Sequence, residues 1–144
     1  MNMNRQYAVV VKGLTFIILV AIVVPFAAHS RTAKPAITIT QVPQFDEKGG
    51  PERLGTIKGK VQGADDCKDC KVVLFAYTNT WWVQPVADSP DTAVVNGKFE
   101  SETHLGTAYA AMLVRSTYRA PATIARLPNV GGDILAIDRK TGER

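Results

Sequence analysis

Residues 71–85 read KVVLFAYTNTWWVQP, a β-rich apolar run closing on two adjacent tryptophans, a valine, a glutamine and a proline. In an extended chain Val72, Leu74 and Ala76 point one way, and Val73, Phe75 and Tyr77 the other. Apolar side chains on both faces predict a central strand rather than an edge strand. Asn79 and Thr80 suit a turn or a widening of the strand, and Pro85 ends easy ladder pairing. If the alternation runs on, Trp81 shares the side of Val73, Phe75 and Tyr77, and Trp82 that of Val72, Leu74 and Ala76. A bulge at Asn79 and Thr80 would exchange the two. Adjacent residues diverge either way, so one indole should be core and the other should cap the core's end or reach the surface. Gln84 is placed to bond an indole N–H.

Outward from this stretch the pattern stays β. Residues 36–42, AITITQV, read as a first strand, and residues 43–51, with Gly49, Gly50 and Pro51, as a loop. In residues 54–62, LGTIKGKVQ, Ile57, Gly59 and Val61 face one way and Thr56, Lys58, Lys60 and Gln62 the other. That is a half-solvated strand whose glycines permit close approach or a bulge. Residues 63–70 are polar and acidic, and residues 87–92 read as a surface loop. Asn96-Gly97 is the strongest hairpin signal. Beyond it Phe99, Ser101, Thr103 and Leu105 share one side of a strand, and Glu100, Glu102 and His104 the other. Residues 108–114, AYAAMLV, have helix-forming composition. They read better as a strand, because Val114, Thr117 and Tyr118 continue β-rich and no capping pattern precedes them. Short strands follow at 123–127 and 133–138, with Ile134 and Ala136 opposite Leu135 and Ile137. Six to eight strands, about seven, between glycine, proline and asparagine turns predict an all-β fold, an immunoglobulin-like or transthyretin-like β-sandwich.

The start of the chain is of another kind. Arg5 and Lys12 precede the apolar run GLTFIILVAIVV at 13–24, Pro25 follows, and Ala28 and Ser30 supply the small residues a signal peptidase reads. This is the layout of a secretory signal peptide over residues 1–30, cleaved after Ser30. The alternative is an uncleaved inner-membrane anchor over residues 8–28, with Lys12 snorkelling. Either arrangement delivers the rest, a short tether over 31–35 and one domain over 36–144, outside the cytoplasm: periplasm, cell surface or secreted. The net charge of +4 comes from 17 Lys and Arg against 13 acids, and falls to +2 without Arg5 and Lys12. The remaining basic residues are interleaved with acids, which excludes the basic stripe that nucleic acid needs. The membrane is a partner only through an uncleaved N-terminal segment.

The segments GTIKGKVQG, KVVLFAYTNTWWVQP, the Asn96-Gly97 turn with Phe99, HLGTAYAAMLV and ATIARLPNVGGDILA together resemble a small bacterial β-sandwich module. The module is found in secreted and cell-surface proteins, sometimes attached to polysaccharide-acting enzymes. The likeness covers about residues 55–136, and its tryptophan-containing centre is the most specific part. It implies an accessory role, with no catalytic residues to carry over. This chain departs from it by inserting Cys67-Lys68-Asp69-Cys70 before the central strand.

Residues able to do chemistry are few. Cys67 and Cys70 form one C-x-x-C in an acidic loop, where Asp65, Asp66 and Asp69 would raise thiol pKa values, unlike a redox pair at a helix start. In an exported chain a structural disulfide is expected. Zinc would need further ligands, and His104 is the one imidazole left once the leader is removed, so no metal and no cofactor is implied. Glu100 and Glu102 lie two apart on one strand face, whereas glycosidase carboxylates oppose each other across a cleft. No nucleophile elbow or H-E-x-x-H helix is present, and an enzyme is not expected. The aromatic set Tyr77, Trp81, Trp82 and Tyr109, with Tyr118 nearby, is the functional possibility of substance, because exposed indole faces stack on sugars or anchor protein partners. The expectation is a non-catalytic, carbohydrate-binding module contacting glycan or an envelope protein through an aromatic rim. The alternative is a structural or protein-interaction domain of an envelope assembly with both tryptophans buried. Mass analysis of the exported protein should find Arg31 at its N-terminus; intact Met1 in the membrane fraction would instead establish the anchor.

Overall fold

The computed structural model describes residues 33–64, 67 and 69–144. The expected leader, the first residues of the tether, and Asp65, Asp66 and Lys68 lie outside the described residues. Among those described, nine strands follow one another: β1 (Ala36–Gln41), β2 (Leu54–Gln62), β3 (Lys71–Tyr77), β4 (Trp81–Gln84), β5 (Asp91–Thr92), β6 (Lys98–His104), β7 (Ala108–Val114), β8 (Thr123–Ile124) and β9 (Ile134–Thr141). No helix among the described residues is long and apolar enough to cross a membrane. The strands make two antiparallel sheets, one of order β1-β2-β6 and a six-stranded one of order β8-β4-β3-β7-β9 with β5 also paired to β3. This fits an all-β sandwich.

β3 lies between β7 and the β4/β5 side, as its two apolar faces require. It pairs with β7 from Lys71↔Val114 to Tyr77↔Ala108. Its other side takes β4 at Leu74–Tyr77 and β5 at Val72–Val73, end to end. Pro85 has no N–H to donate, so the ladder stops at Gln84 and resumes at Asp91. Residues 78–80 turn the chain, so the tryptophans sit on a separate strand antiparallel to β3, with Tyr77 opposite Trp81 and Ala76 opposite Trp82.

Both faces of the large sheet carry a core. On one face Val72, Leu74, Ala76, Tyr109, Ala111 and Leu113 pack against Ile37, Ile39, Ile57, Val61 and Phe99 of the small sheet. On the other, Val73, Phe75, Trp81, Val83, Ala110, Met112 and Val114 are roofed by Tyr118, Ala120, Ile124 and Leu127. The roof is the segment 115–133, a strap across the sheet that is irregular apart from β8, which pairs with β4 at the sheet's edge. A sandwich sheet ordinarily has one core face and one outer face, but here the outer face is covered as well.

Other expectations shift for local reasons. Residues 91–92, read as loop, form β5. Residues 123–127 keep only Thr123–Ile124 as strand, since Leu127 tucks into the second core. The division of the stretch 71–85 into β3 and β4, together with β5, raises the count from about seven to nine. The last strand extends to Thr141, and a register shift between Leu113 and Val114 leaves Leu135 unpaired. That bulge puts Ala136 in the sandwich core and Ile134 in the second core, on opposite faces rather than the shared one that strict alternation predicts. The Asn96-Gly97 turn forms with φ of 52° and 68°, the left-handed pair that a tight hairpin needs. Gly59 serves close approach: the Phe99 ring lies where a Cβ would project.

Each side of the sandwich is bridged at one point by a side chain from the large sheet. Asp138 Oδ2 accepts the Ile39 N–H at 2.7 Å, between β1 and β9. Gln84 Oε1 accepts the His104 N–H at 2.9 Å, between β6 and β4. The Tyr109 hydroxyl ties the loops above. It donates to Gln44 O at 2.8 Å and accepts from Gly106 N at 2.9 Å, three residues upstream. Burial pushes the Tyr109 hydroxyl up from its ordinary pKa; the Gly106 N–H opposes this and the Asp46 carboxylate adds to it.

Tyr109→Phe should therefore strand the buried Gly106 N–H and remove a partner of the partly buried Gln44 carbonyl. The expected loss is about 1–3 kcal/mol in urea unfolding, with unchanged denaturant dependence.

Candidate functional site

The sandwich is open between β4 and β6, where the three-stranded sheet stops short of the six-stranded one. Here a groove of about 540 Å³ forms. Ala76 floors it, Trp82 and Gln84 come from β4, His104 and Leu105 from the end of β6, and Lys48, Gly50 and Pro51 from the β1–β2 loop. Ala76 stands in the row Tyr109–Ala76–Trp82 across three paired strands. Its small side chain leaves the space that a larger residue would fill.

Trp82 projects from the sandwich face, past the reach of the small sheet, and stays 47% exposed. Trp81 projects from the opposite face, yet only 4% of it is exposed because the strap covers it. Its ring centroid is 5.1 Å from that of Tyr77, and the Arg139 guanidinium stands 5.3 Å from it. Tyr109 is fully buried with its hydroxyl engaged, and Tyr77 is half-buried against the second core. The four aromatic residues thus do not form one rim, and Trp82 alone among them presents an open face. The neighbours diverge as their adjacency predicts, but neither "inward" nor "outward" describes them, because coverage depends on how far each roof extends.

Gln84 is 2% exposed and joins the groove's two walls. Its Nε2 donates to the backbone carbonyl of Trp82 at 3.2 Å, not to an indole. Its Oε1 meets both the His104 N–H and His104 Nδ1, each at 2.9 Å. His104, expected on the solvent face of β6, is drawn in over the sheet edge by this pair of contacts and is half-buried. Sequence reading passed over His104 as a site residue; its place at the end of an edge strand was the available signal.

Asp46 shapes the third wall. Oδ1 accepts the N–H groups of Lys48 at 2.9 Å and Gly49 at 3.1 Å, and Oδ2 is 2.8 Å from Arg53 Nη2. Burial pushes this carboxyl up, but the two N–H groups, Arg53 and Lys48 together outweigh it and hold the pKa below the ordinary 3.8. Lys48 is the one lysine or arginine among the described lining residues, and no carboxylate is among them.

The other candidate chemistry lies elsewhere. Cys67 and Cys70 form a disulfide with Cα atoms 5.3 Å apart, pinning the loop before β3. Glu100 pairs with Lys58 at 2.8 Å on the outer face of the small sheet. No protein-family model, no curated protein and no solved structure matches the chain.

A depressed carboxyl pKa contributes stability that is full above the unfolded value and lost as pH falls through the folded one. Melting temperature should thus drop below about pH 4. Asp46→Asn should remove that part of the acid dependence and, at neutral pH, speed amide exchange at Lys48 and Gly49.

Proposed function

We propose that the chain is a non-catalytic, extracytoplasmic binding module whose groove beside Trp82 takes a glycan or a similarly hydroxylated envelope component. The half-exposed indole on the groove's wall carries this reading. An apolar ring face beside a few fixed polar groups is what a sugar ring presents in complement: one C–H face and a rim of hydroxyls. The polar side chains lining the groove include Thr78, Asn79, Gln84 and His104, and Lys48 is its one lysine or arginine. The apolar segment at 13–24 and the disulfide support a location outside the cytoplasm. Of the two sandwich classes expected, the immunoglobulin-like one is supported by Tyr109, whose hydroxyl returns to Gly106 in the manner of a tyrosine corner. The alternative with both tryptophans buried is disfavoured by the exposure of Trp82.

The test uses the full chain on an array of neutral and acidic oligosaccharides. Trp82→Ala should weaken binding roughly thirtyfold, the ~2 kcal/mol of a tryptophan hot spot, and change stability by less than about 0.5 kcal/mol. Trp81→Ala should cost about 3–5 kcal/mol of folding. Undiminished binding by Trp82→Ala, or no oligosaccharide bound by the wild type, would defeat the proposal.

A further inference from the structure

The hydrogen bonds of Gln84 decide what His104 offers to the groove. A backbone N–H can only donate, so the Gln84 atom 2.9 Å from His104 N must be the amide oxygen. The amide nitrogen then faces the Trp82 carbonyl, an acceptor, at 3.2 Å, and the orientation is consistent at both ends. That same oxygen is 2.9 Å from His104 Nδ1. An amide oxygen has no proton to give, so Nδ1 must carry the hydrogen. In the neutral ring the other nitrogen, Nε2, is left with a lone pair. Among the described residues Nε2 has no hydrogen-bond partner, and His104 lines the groove that Trp82 walls.

We infer that His104 Nε2 is a fixed hydrogen-bond acceptor for a hydroxyl of the groove's ligand, held in that role by Gln84. The inference rests on the glycan reading and gives it a specificity-determining contact. Trp82 takes the apolar face of a sugar ring; His104 reads a hydroxyl at its edge. Gln84 is a positioning residue: its buried amide holds the backbone beside the indole and the imidazole at once, which sets their separation. A neutral ring that only accepts at Nε2 favours a hydroxyl over an ether or a carboxylate, neither of which has a proton to donate there. The sequence order helps explain why this works. Trp82 and Gln84 lie two apart on β4 and so share a face, while His104 reaches them from the other sheet.

The tautomer is measurable without any ligand. Long-range proton–nitrogen NMR correlations on the full chain, assigned by comparison with His104→Phe, should place the His104 hydrogen on Nδ1. Gln84→Leu should shift that signature; a signature unchanged by it, or a hydrogen on Nε2 in the wild type, would overturn the inference. For binding, the probe is the oligosaccharide that the array retains best, together with its monodeoxy analogues. His104→Phe keeps the backbone N–H and the ring shape, and should weaken binding roughly three- to tenfold, as loss of one neutral hydrogen bond does. One deoxy analogue should bind the wild type less well by a similar factor and bind His104→Phe no worse than the parent sugar. If His104→Phe binds as the wild type does while Trp82→Ala does not, the inference falls and the glycan reading stands. If the wild type retains no oligosaccharide, both fall.

Discussion

Two strands with apolar residues on both faces set the terms for everything else in this protein. Every residue of β7 and the interior of β3 is buried, so neither face of their sheet can be left to water. A three-stranded sheet covers one face and a strap of mostly irregular chain covers the other. The two covers differ in extent, and the difference produces the site. The strap reaches over Trp81, whereas the small sheet ends before it reaches Trp82. A groove beside an open indole is thus the region of a two-sided sheet that one cover leaves bare.

The loops around this bare region are held by buried polar atoms rather than by further apolar packing. Tyr109 joins the β1–β2 connection to the turn before its own strand. Asp46 folds the next part of that connection around its carboxylate, with Arg53 as counter-charge. Both act through backbone groups, which fixes main-chain positions more firmly than side-chain contacts would. The wall that Lys48, Gly50 and Pro51 give the groove therefore belongs to a built structure and not to a loosely draped loop.

Much of the fold was legible because the decisive residues are unambiguous. The double-sided run at Lys71–Tyr77 could only be central, and Asn96-Gly97 could only turn tightly. Alternation placed Trp81 and Trp82 on opposite faces correctly. It failed at Ile134 and Ala136, because a single bulged residue, Leu135, reverses the phase, and no residue preference marks a bulge there. It also had no way to show that the outer face was covered. Residues 115–133 carry no period, so their role as a roof emerges only from long-range packing. The candidate site was half legible for the same reason. Trp82 was named as one of four aromatic residues, but the selection among them depended on where the covers end. Gln84 was tied to the indole, whereas its partners are a carbonyl on its own strand and a histidine 20 residues away on the other sheet. A contact between sheets leaves no spacing rule in the chain.

The two side chains that bridge the sheets have a consequence for how copies of the chain meet one another. Sandwiches are vulnerable to self-association along exposed strand borders, where unsatisfied main-chain donors invite a foreign strand. Here the small sheet has β1 and β6 as its borders. Asp138 occupies a donor on the first and Gln84 a donor on the second. Each blocks ladder growth at its position with a group that cannot propagate a ladder, and Asp138 adds a charge that an incoming strand would have to desolvate. Gln84 therefore has two places in the structure at once: it lines the groove, and it fills a main-chain donor on a sheet border that a strand from another copy would otherwise pair with.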